Sequence, residues 1–169
     1  TDLVEKDIII SLKFPQNYKK FTLSLYRQNL FYDIKFKVST STAHEDMIDF
    51  INSLSHSCFE PLVGIVYCHT RVACYELASK FNDEGIPSLP YHAGMPLKKR
   101  MQHQQQWMNG DISVIVATIS FGMGINKHNV RFVIHWNSPI SLEDYYQESG
   151  RAGRDNKLSF CRIYFSESI

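Results

Sequence analysis

LVGIVY, residues 62–67, is the stretch of sequence that decides the fold. It is a continuous apolar run of strand length, which is typical of a strand that is covered on both faces in a parallel sheet. A helical stripe follows it directly, formed by Cys74, Leu77, Ala78 and Phe81, and the stripe stops near Gly85. A buried strand followed at once by an amphipathic helix predicts a βα unit.

The remainder of the chain repeats this alternation. Further strands are predicted at residues 86–91, 114–117, 130–136 and 160–165. Further helices are predicted at residues 2–12, 42–54, 96–108 and 141–149, with Pro96 in a first turn and with Ser141 and Asp144 at a cap. This order predicts an α/β fold with a doubly wound, mostly parallel sheet and helices on both faces, in which ligands bind at the carboxyl ends of the strands.

The amino-terminal region carries two more local predictions. Residues 29–38 alternate strictly between apolar and polar positions, with Leu30, Ile34 and Val38 on one side, and this predicts a half-buried strand. Thr42 with Glu45 is predicted to form a capping box for the helix that follows.

Composition bounds the class of protein. The 169 residues are 44% hydrophobic and 21% charged, as in a folded globular protein. The net charge is only +1, so any binding of nucleic acid must be local. The longest apolar runs are far shorter than the roughly 18 residues of a membrane span, and the amino end has no signal-peptide pattern, so no membrane partner is expected.

Cysteine, histidine and tryptophan are read as structural. The four cysteines form no CxxC pair, which predicts buried reduced thiols rather than disulfides or a metal site. The seven histidines are scattered, so no zinc or other metal is expected in this chain. Trp107 and Trp136 lie in helix and strand stripes and are predicted to be core residues rather than base-stacking platforms.

Polar residues follow two of the predicted strands. Thr70 and Arg71 open a helix, where free backbone N–H groups and a hydroxyl suit a phosphate oxygen; the simpler alternative is a helix cap and a solvated arginine. Residues 118–126, TISFGMGIN, combine the hydroxyls of Thr118 and Ser120 with two glycines that allow a close backbone approach, although a tight loop also needs glycines.

The strongest local signal is QESGRAGRD, residues 147–155. Arg151 and Arg154 each follow a small residue, which leaves both guanidinium groups open for bidentate contact with phosphate oxygens. A solvated helix end is the simpler alternative, but the glycines waste helix propensity that a surface helix would keep. Both arginines are expected to be partly exposed and unpaired in the isolated lobe.

Taken in order, YCHTR, YHAGM, VATISFGMGINK and QESGRAGRD resemble motifs four to six of superfamily-two helicases, in the form found in RecQ helicases. The resemblance runs from Gly64 to about Phe165, and NLFYDIKFKV near the amino end is similar to the RecQ five-like branch. It implies the second RecA-like lobe of a nuclear ATP-dependent DNA helicase that moves 3′ to 5′. Its expected partners are single-stranded and partly duplex DNA and the first lobe of the same parent chain.

The resemblance also implies roles for individual residues. Arg151 and Arg154 resemble the arginines that reach the triphosphate of ATP, with Arg154 as the finger. Gln147 resembles the residue that couples this site to the bound strand. Asn126 takes the place near the ribose, and Gly124 lies beside it on the nucleotide. The positions that resemble the single-strand track are Thr70, Arg71, His92, Thr118 and Ser120.

Two motifs of such a motor are missing from the sequence. It contains no GxxxxGK[ST] loop and no Asp-Glu pair after an apolar strand, so ATP and Mg²⁺ are expected to be held mainly by a first lobe upstream. Residues 1–39 are then interpreted as the tail of the first lobe and a linker, residues 40–169 as the second lobe, and this chain alone as inactive. The alternatives are a stand-alone nucleic-acid-binding or interaction module and an RNA remodelling helicase of the DEAD-box type.

Overall fold

The computed structural model describes residues 2–15, 17–21, 26–57, 61–122 and 124–166. The helices are α1 (Asp2–Ser11), α2 (Thr40–Ser57), α3 (Arg71–Asp83), α4 (Leu97–Asn109) and α5 (Leu142–Ser149). The strands are β1 (Leu30–Phe36), β2 (Gly64–Tyr67), β3 (Ser88–Tyr91), β4 (Val114–Ala117), β5 (Phe132–His135) and β6 (Ser159–Phe165). The predicted alternation of helices and strands is therefore confirmed.

The six strands form one sheet in the order β1-β6-β5-β2-β4-β3, and every pair is parallel. Strand β2, the decisive LVGIVY stretch, is central, with Tyr67 in register with Ala117 on one side and His135 on the other. All the strands therefore end at one edge of the sheet, which we call the carboxyl edge. Residues 68, 92, 118 and 136 begin the segments that leave this edge.

Apolar side chains cover both faces of the sheet. Met47 of α2 and Leu77 and Phe81 of α3 pack on one face with Val66 and Ile134, among others. On the opposite face, the side chains that pack together include Ile65, Val133, Trp107, Phe121 and Ile125. The doubly wound sheet with helices on both faces is thus confirmed.

Both tryptophans belong to the core, as predicted. Trp107 is fully buried, and its indole Nε1 donates to the carbonyl of Gly64 at 3.1 Å. Trp136 is buried with its ring stacked on His44, and the Lys37 ammonium lies 4.3 Å from the ring centroid. Neither indole is available to stack on a base.

Two local predictions near the amino end are wrong. Strand β1 forms, but its apolar side is mostly exposed, with Ile34 at 69% and Val38 at 85%, and only Leu30 is buried. Helix α2 begins at Thr40, and its cap is the hydroxyl of Ser39, which accepts from the Thr42 amide at 3.2 Å. Thr42 is therefore already inside the helix, because the earlier hydroxyl takes the capping position.

Three cysteines are free and buried, as predicted: Cys68, Cys74 and Cys161. Cys58 lies outside the described residues. The described helices include none that is long and apolar enough to cross a membrane.

Strand β1 pairs along its whole length with β6, so the sheet of the lobe includes residues that precede the predicted boundary at residue 39.

Candidate functional site

The segments that follow β2, β3 and β4, which sequence analysis singled out, meet at the carboxyl edge. The amide of Cys68 donates to Ala117 O at 2.9 Å, and the amide of Thr118 donates to Tyr91 O at 3.2 Å. The Tyr67 hydroxyl, at the end of β2, donates to Phe121 O at 2.9 Å. These bonds tie the ends of β2, β3 and β4 to the loop of residues 118–126.

Arg151 lies directly against that loop. Its Nη1 donates to Gly122 O at 2.6 Å, while its Nε is buried without a partner among the described atoms. A Cβ on Gly122 would lie 2.1 Å from Arg151 Nη2, and the φ of Gly122 is +152°. Glycine at position 122 is therefore required for the guanidinium group to approach the backbone so closely.

Arg154 is anchored one step farther along the same loop. Its Nη1 donates to Ile125 O at 3.0 Å and lies 3.4 Å from Asn126 Oδ1. Burial lowers the pKa of Arg154, and the positive charges of Arg151 and Arg27 lower it further. The positive charges of Arg151 and Arg27 thus act on Arg154 at close range. Such a concentration of positive charge is typical of an anion-binding site.

The prediction that Arg151 and Arg154 are partly exposed and unpaired is only partly correct. Both side chains are half-buried, as predicted. They are not unpaired, however, because each donates to a backbone carbonyl of the 118–126 loop. The physical reason is that a loop folded back on the arginines presents carbonyl oxygens, each of which can accept two hydrogen bonds; Gly122 O also accepts from the Ile125 amide at 3.2 Å.

Arg27 was not found by sequence analysis. Its Nη1 donates to Gly150 O at 3.1 Å, and its Nη2 donates to Gly153 O. These two carbonyls flank Arg151, so Arg27 braces the segment that carries both arginines. A contact between residues more than a hundred positions apart leaves no local pattern that could have revealed it.

A second brace holds the end of the segment. Arg131, which is buried, donates from Nη2 to both carboxylate oxygens of Asp155 at 2.5 and 2.6 Å. Burial alone would raise the pKa of Asp155, but the hydrogen bonds from Arg131 and from the Lys157 amide outweigh it, and the pKa is lowered. Asp155 is therefore held as a carboxylate directly after Arg154.

Helix α5 leads into residues 150–155, the segment that carries Arg151 and Arg154, and a side-chain contact holds it near each end. The Ser141 hydroxyl accepts from the Asp144 amide at 3.0 Å, which confirms the predicted cap. Near the other end, the carboxylate of Glu148 lies 2.8 Å from His135 Nε2, and both residues are buried. Gln147, on the same helix, is exposed.

The candidate DNA-binding residues lie in a row of loops. Thr70 caps α3 by accepting from the Ala73 amide at 3.1 Å, and Arg71 is exposed, as the simpler alternative predicts. The Arg71 guanidinium group lies against Gly94, where a Cβ would be 2.6 Å from Nη1. Thr118 and Ser120 are half-exposed with their hydroxyl oxygens 2.9 Å apart.

His92 differs from the other members of this row. Its side chain is buried, with its ring edge-on to Tyr75, and neither ring nitrogen has a partner among the described atoms. Desolvation lowers its pKa, and the charge of Arg71 lowers it further. A neutral, buried ring is less accessible to a ligand than Thr70 or Arg71.

The nucleotide-facing candidates are more open. Asn126 and Gly124 are exposed on the 118–126 loop, and the φ of Gly124 is +78°. Within the described residues, no three histidine, cysteine, aspartate or glutamate side chains gather in a way that could hold a metal ion. The guanidinium and amide donors of Arg151, Arg154 and Asn126 thus suit an anion.

Residues 42–156 match the family model "Helicase conserved C-terminal domain". The solved structures that resemble the lobe include the E. coli DEAD-box protein SrmB, with a TM-score of 0.69 and 20% identity over 80% of this chain and 76% of that chain. Another is domain 2 of the DEAD-box helicase Mss116p bound to an RNA duplex, with a TM-score of 0.70 and 16% identity over 82% of this chain and 55% of that chain. At these identities the structures show the shared RecA-like fold alone.

Curated relatives are closer in sequence. The chain is 44% identical over 177 residues to ATP-dependent DNA helicase Q5 of Rattus norvegicus, an alignment that covers 99% of this chain and 18% of that protein. It is 40% identical over 168 residues to ATP-dependent helicase SGS1 of Saccharomyces cerevisiae, with 98% of this chain and 11% of that protein covered. The chain thus spans less than a fifth of the length of these relatives. Together with the match over residues 42–156, these identities show that the chain belongs to the RecQ family of helicases and corresponds to the conserved C-terminal domain of such a helicase.

Proposed function

We propose that this lobe serves an ATP-driven DNA helicase of the nucleus and that Arg151 and Arg154 contact the triphosphate of ATP across the interface with a first lobe. The observation that carries the proposal is the cluster of Arg27, Arg151 and Arg154, in which Arg154 is partly desolvated and repelled by the other two. Within the described part of the chain, all three donate to backbone carbonyls and none pairs with a carboxylate. The negative charge that develops on a transferring phosphoryl group would relieve this repulsion.

The carbonyl bonds support this role because they orient the side chains without exhausting them. A guanidinium group has five N–H donors, and Arg154 uses one nitrogen for Ile125 O and the Asn126 side chain. The remaining donors stay available for phosphate oxygens. A positive charge held in place before the reaction stabilises developing charge without reorganisation at the moment of reaction.

Fewer residues of this chain are proposed to contact the rest of the nucleotide. Asn126 and Gly124 are exposed beside Arg154 and are proposed to lie near the ribose, and Gln147 is proposed to couple the nucleotide to the DNA strand. Bound ATP with Mg²⁺ would supply the phosphoryl group whose hydrolysis drives movement. Ligands for the magnesium ion and a cradle for the phosphates are proposed to lie in a first lobe.

The row of loops at the ends of β2, β3 and β4 is proposed to form part of the single-stranded DNA track. Thr70, Arg71, Thr118 and Ser120 present hydroxyl and guanidinium groups that suit the phosphate backbone. His92 lies behind Arg71 and Tyr75, and its part in the track is proposed to be support of this surface rather than direct contact. Movement is proposed to run 3′ to 5′, on the resemblance alone.

The first test concerns ATP hydrolysis by the chain alone. We expect negligible DNA-stimulated ATPase activity, because the chain has arginines for the transition state but no phosphate loop. Phosphate release should be measured with and without single-stranded DNA, beside a preparation of Arg154→Ala as the control for contaminants. Turnover by the unaltered chain that Arg154→Ala removes would contradict the division of the site between two lobes.

The second test concerns DNA binding by the chain alone. Affinity for single-stranded DNA is expected to be weak and to fall steeply with salt, because few phosphate contacts are available and the net charge is only +1. Fluorescence anisotropy against salt concentration gives the slope of log K on log salt, and Arg71→Ala should reduce that slope by about 0.7.

Lys80→Ala is the matched control, because Lys80 is an exposed cation in the last turn of the same helix, at the end opposite Arg71. It should leave both the affinity and the slope unchanged. Tight binding that is insensitive to salt would instead support a stand-alone binding module. An equal effect of both substitutions would mean that the track does not pass over the start of α3.

A further inference from the structure

Two buried thiols face each other across the start of α3. Cys68 follows the last residue of β2, and Cys74 lies in the first turns of α3, with their Sγ atoms 3.2 Å apart. Both side chains are fully buried and both thiols are free. The backbone holds both ends of this pair, because the Cys68 amide donates to Ala117 O at 2.9 Å and the Cys74 amide donates to Thr70 O at 3.3 Å.

We propose that Cys68 and Cys74 form a reversible intramolecular disulfide when the protein meets a hydroperoxide. A disulfide needs an S–S distance of about 2.05 Å, so the two sulfur atoms have to approach by only about 1 Å. The sheet and helix have therefore already brought the reacting atoms together.

The two sulfur atoms are suited to different steps. The hydrogen bond between the two thiols lowers the pKa of Cys74, and the same bond together with burial raises the pKa of Cys68. Because its pKa is the lower of the pair, Cys74 is assigned the first attack, in its thiolate form. Its sulfur takes one oxygen of the hydroperoxide, the O–O bond breaks, and the departing alkoxide is protonated to an alcohol, or to water when the oxidant is hydrogen peroxide.

The second step closes the bond. The Cys68 sulfur attacks the sulfenic acid on Cys74, the Cys68 proton is lost, and the hydroxyl group leaves as water. The two thiols lose two electrons and two protons in total, and the hydroperoxide accepts them. A dithiol reductant reverses the reaction by thiol–disulfide exchange.

Access for the oxidant is through the exposed start of α3. The Thr70 carbonyl lies 3.8 Å from Cys68 Sγ, and Thr70, Arg71 and Val72 are exposed. Opening of a terminal helical turn needs much less free energy than global unfolding, so small hydroperoxides can reach the thiols. Cys161 offers a contrast, because burial raises its pKa to about 12 and its sulfur lies 3.7 Å from a backbone carbonyl rather than near a second thiol.

The experiment is to treat the chain with hydrogen peroxide, block the remaining thiols with N-ethylmaleimide under denaturing conditions, and map the peptides by mass spectrometry. The expected result is the loss of two free thiols, a cross-link between the peptides that carry Cys68 and Cys74, and full recovery of both thiols with dithiothreitol. This readout on the unaltered chain does not depend on DNA binding or on ATP hydrolysis.

Variants sharpen the assignment. Cys68→Ser and Cys74→Ala should each abolish the cross-link, whereas Cys161→Ala should retain it at the level of the unaltered chain. Circular dichroism checks that each variant is folded. Peptide mapping that finds all four thiols free after oxidation, sulfinic or sulfonic acid on Cys74, or a cross-link to Cys58 or Cys161 would overturn the proposal.

A second readout tests what the bond does to the protein. The segment that the disulfide closes contains Thr70 and Arg71, so oxidation should slow hydrogen exchange of the amides of residues 70–74 by several-fold. Exchange in α4, on the opposite face of the sheet, should not change. Unchanged exchange in residues 70–74 despite a mapped cross-link would overturn the inference that the bond constrains the start of α3.

Discussion

In the full-length parent, Arg154→Ala is expected to lower ATP turnover by about a thousandfold while ATP affinity and DNA affinity stay within about twofold. The group is placed for charge that appears in the transition state, so its loss falls on the rate rather than on ground-state binding. The lobe itself should remain folded. Arg154 is half-exposed, and its bonds to Ile125 O and Asn126 lie in a surface loop where water can replace them, so the cost in stability should be about 1 kcal/mol.

Three measurements decide the matter: steady-state turnover, equilibrium binding of a non-hydrolysable ATP analogue, and thermal unfolding. Arg151→Ala should behave like Arg154→Ala. Arg154→Lys keeps the charge but not the planar fork, and should recover little of the activity if bidentate contact is what matters. Lys80→Ala should behave like the unaltered protein. The finger assignment fails if Arg154→Ala unfolds the lobe, or if it weakens analogue binding as much as it slows turnover.

Sequence patterns predicted the fold well where burial is regular. The LVGIVY run has no polar face because both faces of β2 are covered, and the stripe of Cys74, Leu77, Ala78 and Phe81 matches the buried residues of α3. Strand β1 was predicted as a strand for the right reason, its alternation. Alternation does not say whether a second layer covers the apolar side, and in the described residues Ile34 and Val38 remain open.

Local hydrogen-bond chemistry was less decisive. The stretch from Ser39 to Thr42 offers several hydroxyl groups that can cap a helix, and sequence alone does not rank them. The structure favours Ser39 because the chain leaves β1 shortly before it and turns into α2 there. At Ser141 only one hydroxyl competes, and the predicted cap is confirmed.

The candidate site likewise contains some residues that a local sequence pattern reveals and others that it does not. Arg151 and Arg154 were identifiable because small residues and glycines surround them within one short segment. Their braces were not, because Arg27 and Arg131 act across long separations in sequence and lie in stretches that carry no motif. The carbonyl partners at Gly122 and Ile125 were equally hidden, since a backbone acceptor has no residue type that sequence could reveal.

Asp155→Ala is expected to lower the free energy of unfolding of the chain by about 3 kcal/mol. The substitution leaves Arg131 as a charge in a side chain that is only 7% exposed, with the carbonyls of Asn129 and Leu158 at 3.2 Å as its remaining partners. Chemical denaturation should show the loss. Asp111→Ala, at an exposed carboxylate after α4, is the matched control and should change stability by less than about 0.5 kcal/mol.

The pH dependence of this loss separates the ion pair from simple packing. The pKa of Asp155 is lower in the folded chain than its usual unfolded value of about 3.9, so the carboxylate stabilises the fold above that value. The contribution is lost as the pH falls through the folded pKa, because the protonated acid no longer accepts both bonds from Arg131. The difference in stability between the unaltered chain and Asp155→Ala should therefore narrow below about pH 4.

Arg131→Met combined with Asp155→Ala should recover part of the loss in stability, since no charge is then left buried. A difference that stays constant down to acid pH, or a double variant less stable than either single one, would mean that the segment after Arg154 is held by packing and not by this pair.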